Sequence, residues 1–218
     1  MLETGCGDGR LWVDNIRNVE KLKNIKITVT DISEGMVNDA RRNIGNGMFD
    51  YGVADCMNLP FDDNSFDCVI ANHVIFYCEE PGKAFKEIKR VLKPRGKAVF
   101  STYGSHHMQE IAQLVNQFDK RIVLSADVLY EKFGLDNGER LLKKYFNKVD
   151  KRLYDDYLLV DVAEPIIEYI LSCHGNQNHY LLDRYSDFKA FIMKKNKETI
   201  KNNKRGRSVC VLQLNAFN

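Results

Sequence analysis

Two periodicities alternate along the first hundred residues, and their order predicts the fold. Leu2-Glu3-Thr4 reads as the end of a strand. Lys26-Ile27-Thr28-Val29-Thr30 is a β-rich run of strand length, and Tyr51-Gly52-Val53-Ala54 is a shorter apolar one. Phe66 to Asn72 is nearly unbroken in its apolar character, as a central parallel strand buried on both faces must be. Helical spacing separates these runs. After Glu80, the residues Ala84, Phe85, Ile88, Val91 and Leu92 fall on one face, and Lys83, Lys86, Glu87 and Lys89 fall on the other. Pro81 suits the first helical position. Lys93-Pro94-Arg95-Gly96 stops that helix and turns the chain into a strand, Lys97 to Thr102. Strand and helix in alternation predict an α/β fold with a doubly wound parallel sheet.

The second half is patterned differently. Residues 105–118 read as a helix with Ile111, Leu114, Val115 and Phe118 on one face. Residues 125–146 read as helical pieces broken at Gly134 and Asn137-Gly138, and Val149 to Val160 as a long strand. Residues 163–172 and 185–201 read as helices, and Ser208 to Leu214 as a closing strand. A chain of 218 residues can bury one good core, so residues 1–218 are expected to form a single domain.

Chemistry enters at the end of the first strand. In Glu3-Thr4-Gly5-Cys6-Gly7-Asp8-Gly9-Arg10, glycines stand at alternate positions, where backbone can approach a ligand that any Cβ would strike. A helix starting near Arg10 turns its free N–H groups toward the same spot. Dinucleotides and S-adenosylmethionine (SAM) both suit such a loop. The dinucleotide fingerprint is G-x-G-x-x-G, and here Arg10 stands where it wants Gly or Ala. No Gly-Lys-Ser/Thr follows, so a phosphate loop fits worse. Asp31 ends the second strand about twenty residues on, where an acid can take both ribose hydroxyls. Ser33 then reads as a helix N-cap, with Glu34 in the first turn. Asp55 follows the third apolar run, and His73 follows the fourth strand at its carboxyl end, where open α/β sheets bind ligands.

The spacing E-x-G-x-G-x-G, the string Asp31-Ile32-Ser33-Glu34-Gly35-Met36, the stretch Leu59-Pro60-Phe61 through Phe66-Asp67, and Leu92-Lys93-Pro94-Arg95-Gly96-Lys97 together resemble the class I SAM-dependent methyltransferases. The resemblance is to the small-molecule enzymes of the ubiquinone/menaquinone-biosynthesis type and covers roughly residues 1–104. It implies a Rossmann-like, mostly parallel seven-stranded sheet with an antiparallel last strand and helical insertions forming a cap. It implies SAM as cofactor, with residues 1–104 as the cofactor half and 105–218 as the substrate half. By position, Glu3 would orient the glycine loop and reach the methionine amino group, and Gly5, Cys6, Gly7 and Gly9 would contact the methionine portion through backbone. Asp31 would hold the ribose, with Ile32 and Met36 near ribose and adenine. Asp55 and Cys56 would address the adenine edge, and Asn72, His73 and Val74 would line the wall near the sulfonium. Relatives carry a helix before the first strand that closes over SAM. Its absence here predicts weak SAM affinity compared with a chain that has one. Segments 103–108 and 161–206 are the expected lid.

Methyl transfer from a sulfonium needs alignment and a dry site, and a base only if the acceptor must lose a proton. His73 has the best address for that base, and Tyr77, Tyr103, His106 and His107 are the candidates for the acceptor side. His106-His107 opens the expected helix, and His174 and His179 flank a Gly-Asn-Gln-Asn loop.

Composition narrows the classes. No apolar run approaches the roughly 20 residues that span a bilayer, and no signal peptide is visible. The six cysteines show no C-x-x-C or Cys/His ligand spacing, which argues against a metal site. Cys6, Cys68 and Cys210 fall in elements expected to be buried, and reduced thiols suit a cytoplasmic protein. Net charge is +2, which gives no general pull toward nucleic acid. Lys194, Lys195, Lys197, Lys201, Lys204, Arg205 and Arg207 make a basic stretch without interleaved aromatics, as a solvated helix face would. The expected function is SAM-dependent methylation of a small molecule at O, N or C. Two alternatives stay open: a methyltransferase-like domain that binds a ligand or partner without catalysis, and an RNA or tRNA methyltransferase. Asn72-His73-Val74-Ile75 stands where base-amine enzymes carry Asn/Asp-Pro-Pro-Tyr/Phe, which counts against the last.

Overall fold

The computed structural model describes residues 1–22, 24–45, 47–124, 129–156, 162–173, 175–202 and 208–215. In chain order the elements are β1 (Leu2–Thr4), α1 (Arg10–Val19), β2 (Ile27–Asp31), α2 (Glu34–Ile44), β3 (Phe49–Val53), β4 (Phe66–Asn72), α3 (Pro81–Val91), β5 (Leu92–Thr102), α4 (Gln109–Phe118), α5 (Leu129–Lys132), α6 (Gly138–Leu142), β6 (Lys148–Asp156), α7 (Glu164–Ser172), α8 (Gln177–Leu181), α9 (Tyr185–Asn202) and β7 (Ser208–Asn215). By its internal contacts the chain divides into two compact units, 1–103 with 129–153 and 210–218, and 104–128 with 154–209.

The first unit is built on a parallel sheet in the order β3-β2-β1-β4-β5. The chain winds outward from β1 to β3, then returns to the other side of β1 with β4. The order reverses between β1 and β4, and a ligand crevice forms outside the carboxyl ends of strands at such a point. Both faces of the sheet are covered. Trp12, Val19, Ile27, Val29, Ala40 and Phe49 form a core on the side of α1 and α2. Leu2, Val69, Ala71, Phe85, Ile88 and Phe100 form another with α3. Neighbouring strand residues alternate between the two: Val69 and Ala71 join one core while Ile70 borders the other. Phe85 lies 5.6 Å from Phe100, 5.4 Å from Phe133 and 5.3 Å from Tyr145, ring centre to ring centre. Burying a side chain of this kind contributes about 1.5–3 kcal/mol.

The apolar face expected for α3 is the buried one, through Ala84, Phe85, Ile88 and Val91. Two details differ. Leu92 begins β5 instead of closing the helix, and Lys93-Pro94-Arg95-Gly96 is an irregular stretch of that strand, where the pairing jumps from Phe66–Leu92 to Cys68–Lys97. Arg95 adopts φ 68° inside it. Glu87, expected on the solvated face, is only 20% exposed in its side chain and carries structure described below. Cys6 is buried as expected, Cys68 is only half-buried, and the side chain of Cys210 lies outside the described residues.

The second unit is helical, with Val115, Ile122, Ile167, Ile170, Leu181, Phe188 and Ile192 as its core. Asp119, just past α4, accepts hydrogen bonds from Arg121 at 2.6 Å and Arg184 at 2.9 Å, which hold its carboxyl well below the usual range. The first helix of this half starts at Gln109, not at 105, so His106 and His107 lie in a turn ahead of it. Of the expected pieces in 125–146, α5 and α6 are short, and 125–128 lie outside the described residues. The expected strand from Val149 is β6, with 157–160 outside the described residues. His179 sits in α8 and not in a loop, while His174 and the basic positions 204, 205 and 207 lie outside the described residues. No helix among the described residues is long and apolar enough to cross a membrane.

Candidate functional site

The glycine turn after β1 is left-handed at three points, with φ 72° at Gly5, 54° at Gly7 and 81° at Gly9. Such angles cost an ordinary L-residue about 1–2 kcal/mol each, and glycine nothing comparable. Two of these glycines also touch neighbours. A Cβ on Gly5 would strike the Val74 side chain, and one on Gly9 would lie 2.6 Å from Ile44 Cδ1. At Gly7 nothing among the described residues lies within 4 Å of where a Cβ would stand, so the loop presents open backbone there.

Parallel pairing of β1 with β2, Thr4 opposite Thr30, sets Asp31 beside this turn. Asp31 Oδ2 accepts the Gly7 N–H at 2.9 Å, and Oδ1 accepts that of Ser33 at 2.9 Å. A carboxylate oxygen has more than one lone pair, so both remain able to accept from a ligand. The Asp31 side chain, not that of Glu3, holds the glycine turn. Glu3 is 1% exposed and accepts the indole N–H of Trp12. Burial pushes its carboxyl up to about 7 against that hydrogen bond. Burial likewise pushes the Cys6 thiol up to about 12, helped by the nearby Glu3 and Asp31 carboxylates.

The next wall is the loop after β3. Asp55 Oδ1 accepts the Met57 N–H at 2.8 Å, and the Ala54 N–H donates to the Asp31 carbonyl at 2.9 Å. Two residues of α3 fix this loop from below. Glu87 accepts the Leu59 N–H at 2.9 Å, while Arg90 donates to the Leu59 carbonyl at 2.9 Å, the Phe61 carbonyl at 2.7 Å and Glu87 at 2.7 Å. Ile32, on the β2–α2 connection, and Met36, in the first turn of α2, stand as uncovered apolar side chains, 68% and 43% exposed.

The turn after β4 closes the other side. His73 adopts φ 51°, and its N–H donates to Ser101 Oγ at 3.0 Å and the Ser101 carbonyl at 3.3 Å. Ser101 Oγ in turn donates to Asn72 Oδ1. The His73 ring lies nearly parallel to Tyr103, centres 6.5 Å apart, and edge-on to Phe76 at 6.1 Å. Burial lowers its pKa, so the imidazole is neutral at pH 7. Phe76 also touches Tyr77 at 4.7 Å and Tyr103 at 5.0 Å, and Tyr77 is 65% exposed.

Of the residues singled out from sequence, Glu3, Gly5, Cys6, Gly7, Gly9, Asp31, Asp55, Cys56, Asn72, His73, Val74, Tyr77 and Tyr103 all belong to the first unit, at or beyond the carboxyl ends of its strands. His106 and His107 belong to the second. Glu87, Arg90 and Ser101 were not foreseen. Each acts on a segment some thirty positions away, and nothing in its local pattern marks it.

Residues 2–100 match the family described as methyltransferase domain. The malonyl-[acyl-carrier protein] O-methyltransferase of Methylovorus sp. is 29% identical over 154 residues, 67% of this chain and 50% of that protein. The demethylmenaquinone methyltransferase of Clavibacter sepedonicus is 38% identical over 80 residues, 36% of this chain and 33% of that protein. The chain spans about half the length of the first of these relatives, and less of the second. A putative methyltransferase from Bacillus halodurans shares the fold with TM-score 0.62 at 14% identity, covering 100% of this chain and 92% of that one. So does a Haemonchus contortus phosphoethanolamine N-methyltransferase in complex with SAM, with TM-score 0.56 at 18% identity, covering 100% and 48%. Through residues 2–100 this chain is similar to the methyltransferase domain family, which with these relatives indicates a class I SAM-dependent methyltransferase on a Rossmann-like sheet.

Proposed function

We propose that this chain binds SAM at the carboxyl ends of β1 and β4 and transfers its methyl group to a small-molecule acceptor. The observation that carries the reading is Asp31 Oδ2 at 2.9 Å from Gly7 N, where a Cβ on Gly7 would meet nothing among the described residues within 4 Å. That pairing supplies the two things an adenosyl sulfonium needs side by side: acceptors for ribose hydroxyls and close backbone for the methionine part. The chain fits the cofactor elsewhere too. Ile32 and Met36 leave apolar surface exposed where adenine and ribose would cover it, and Asp55 and Cys56 stand next along the same wall. Glu3 would meet the methionine ammonium, and Cys6 and Gly9 would complete the glycine turn. Asn72, His73 and Val74 would bound the sulfonium side.

When bound, SAM supplies a methyl group already activated for in-line displacement. The protein then has to align the acceptor and exclude water. His73 is neutral and set among aromatic rings, so it is the group placed to take a proton from an acceptor that must lose one. Tyr77 and Tyr103 are acceptor-side residues in this reading, as are His106 and His107. The division of labour follows: residues 1–104 hold the cofactor and 105–218 select the substrate within one methyltransferase domain. The completed sheet has seven strands with an antiparallel last one; the antiparallel register of β7 on β5, Lys97 with Asn215 and Thr102 with Cys210, supports it. A small acceptor is favoured over RNA because the named relatives are a malonyl-[acyl-carrier protein] O-methyltransferase and a demethylmenaquinone methyltransferase. A cytoplasmic setting accords with reduced thiols.

Titration calorimetry with SAM tests the reading. Asp31→Ala is expected to weaken binding about 100-fold, since it removes a charged acceptor from the centre of the site. Tritiated SAM with a panel of small acids, amines and phenols, set against bulk tRNA, is expected to label the small molecules. Binding that survives Asp31→Ala unchanged, or no SAM binding by the wild-type chain at millimolar concentration, defeats the proposal.

A further inference from the structure

Cys56 and Cys78 are 22 positions apart, and their sulfurs lie 3.1 Å apart in the interior of the first unit. Both residues are nearly inaccessible, 7% and 5% exposed. Cys56 follows Asp55 in the loop after β3, and Cys78 follows the short turn Ile75–Tyr77 beyond β4. Both segments lie beyond the carboxyl ends of their strands, beside the proposed cofactor site, and their buried residues share one core. A disulfide has its sulfurs about 2.05 Å apart, so about 1 Å of approach separates the dithiol from the bond.

We propose that Cys56 and Cys78 are a redox modification site, joined by a reversible disulfide that ties the β3 loop to the β4 turn and alters access to the crevice. The consequence for SAM rests on the cofactor site proposed above; the disulfide itself does not. The pair is chemically unequal. Either sulfur can donate to the other, and their contact raises the Cys56 thiol, together with its burial, while it lowers that of Cys78 against burial and the nearby Asp55. The thiolate is the nucleophile in sulfur oxidation. The oxidant is a hydroperoxide. Cys78 sulfur attacks its terminal oxygen, the O–O bond breaks, and the alcohol leaves with a proton, or water when the oxidant is hydrogen peroxide. The resulting sulfenic acid is attacked at sulfur by Cys56, whose thiol proton departs with the hydroxyl as water. Two thiols thus lose two electrons and two protons, and the peroxide takes them up. A dithiol reductant reverses the step by exchange.

The experiment uses the full chain, reduced, then treated with hydrogen peroxide, alkylated and mapped by peptide mass. The expected result is a peptide holding residue 56 linked to one holding residue 78, two hydrogens lighter than the separate pair and released by dithiothreitol. Calorimetry with SAM is expected to show about tenfold weaker binding after oxidation, a coupling of ordinary size, with recovery on reduction. Cys78→Ser and Cys78→Ala chains are expected to keep their affinity through the same peroxide treatment. Recovery of Cys56 and Cys78 as separately alkylated or over-oxidised residues overturns the site. A linked protein with unaltered SAM affinity overturns its effect on the crevice. If the reduced chain takes no SAM at all, the proposed function fails, and the peptide map still decides the disulfide.

Discussion

Two turns leave the sheet side by side, one after β1 and one after β4, and both must pass through the left-handed region of backbone space. The first does so with Gly5, Gly7 and Gly9; the second does so with His73 at φ 51°. Glycine makes the passage cheap and leaves bare backbone. Histidine makes it strained by about 1–2 kcal/mol and leaves an imidazole at the same place. The strain is offset by the Ser101 carbonyl and hydroxyl, which both accept the His73 N–H. One turn leaves its backbone bare by what it lacks, and the other presents a side chain by what holds it. They meet where Gly5 faces Val74.

That meeting point is the place to break the comparison first. A Cβ on Gly5 would lie 2.6 Å from Val74 Cβ, on a residue already at φ 72°. Val74 is β-branched and cannot swing away freely. Overpacking and backbone strain together are expected to cost Gly5→Ala about 3–4 kcal/mol in urea unfolding. Adding Val74→Ala should return about 1–2 kcal/mol, because residues in contact do not add independently. A Gly5→Ala chain within about 1 kcal/mol of wild type would mean that the two turns do not share this space.

Charge separates the turns next. Glu3, ahead of the glycine turn, has its carboxyl raised by burial to about 7, from 4.5 in the unfolded chain. A raised native pKa means that the folded state binds the extra proton, so stability is full below pH 4.5 and is lost as pH rises through 7. The loss amounts to about 3 kcal/mol. Glu3→Gln keeps an acceptor for Trp12 and should abolish this fall. His73 runs the other way. Its pKa is lowered by burial, so stability is present above 6.5 and is lost as pH falls below it. Unfolding measured from pH 4.5 to 8 on wild type, Glu3→Gln and His73→Asn should show the two slopes separately. A Glu3→Gln chain with the wild-type profile would show that Glu3 is ionised in the fold and balanced by a charge other than those named here.

How much of this could be read from the chain alone follows the same division. The glycine turn announces itself, because glycines at alternate positions after an apolar strand have a local meaning. Asp31 is legible because strand length and position fix it at the end of β2. The apolar face of α3 was legible down to Phe85 and Ile88, since helical spacing records burial directly. Ser101, Glu87 and Arg90 were not, because each satisfies backbone groups from 28 to 31 positions away. Glu87 reads as solvated among lysines until the loop after β3 folds over it. The left-handed angle at His73 has no signature in its residue type. The five-residue α8 is too short for periodicity to show, and the thiol pair has no motif spacing to give it away.

The smallest effects bear on what holds the β4 turn. Ser101→Ala removes the hydroxyl that accepts the His73 N–H and donates to Asn72, and leaves the longer bond to the Ser101 carbonyl in place. A half-buried hydrogen-bonding pair of this kind is worth about 1–2 kcal/mol. His73→Gly removes contacts with Tyr103 and Phe76, worth about 0.5–1.5 kcal/mol each when well formed, and at the same time removes the left-handed strain. The two terms oppose, so His73→Gly should stay within about 1 kcal/mol of wild type, where truncation of a well-packed aromatic ring costs about 3–5 kcal/mol. If Ser101→Ala proves costly and His73→Gly nearly neutral, the turn is held by its backbone, and the imidazole is free to be chosen for what it does to an acceptor. If the order is reversed, the ring itself is the structural element, and its neutrality at pH 7 is a by-product of packing instead of a property available to catalysis.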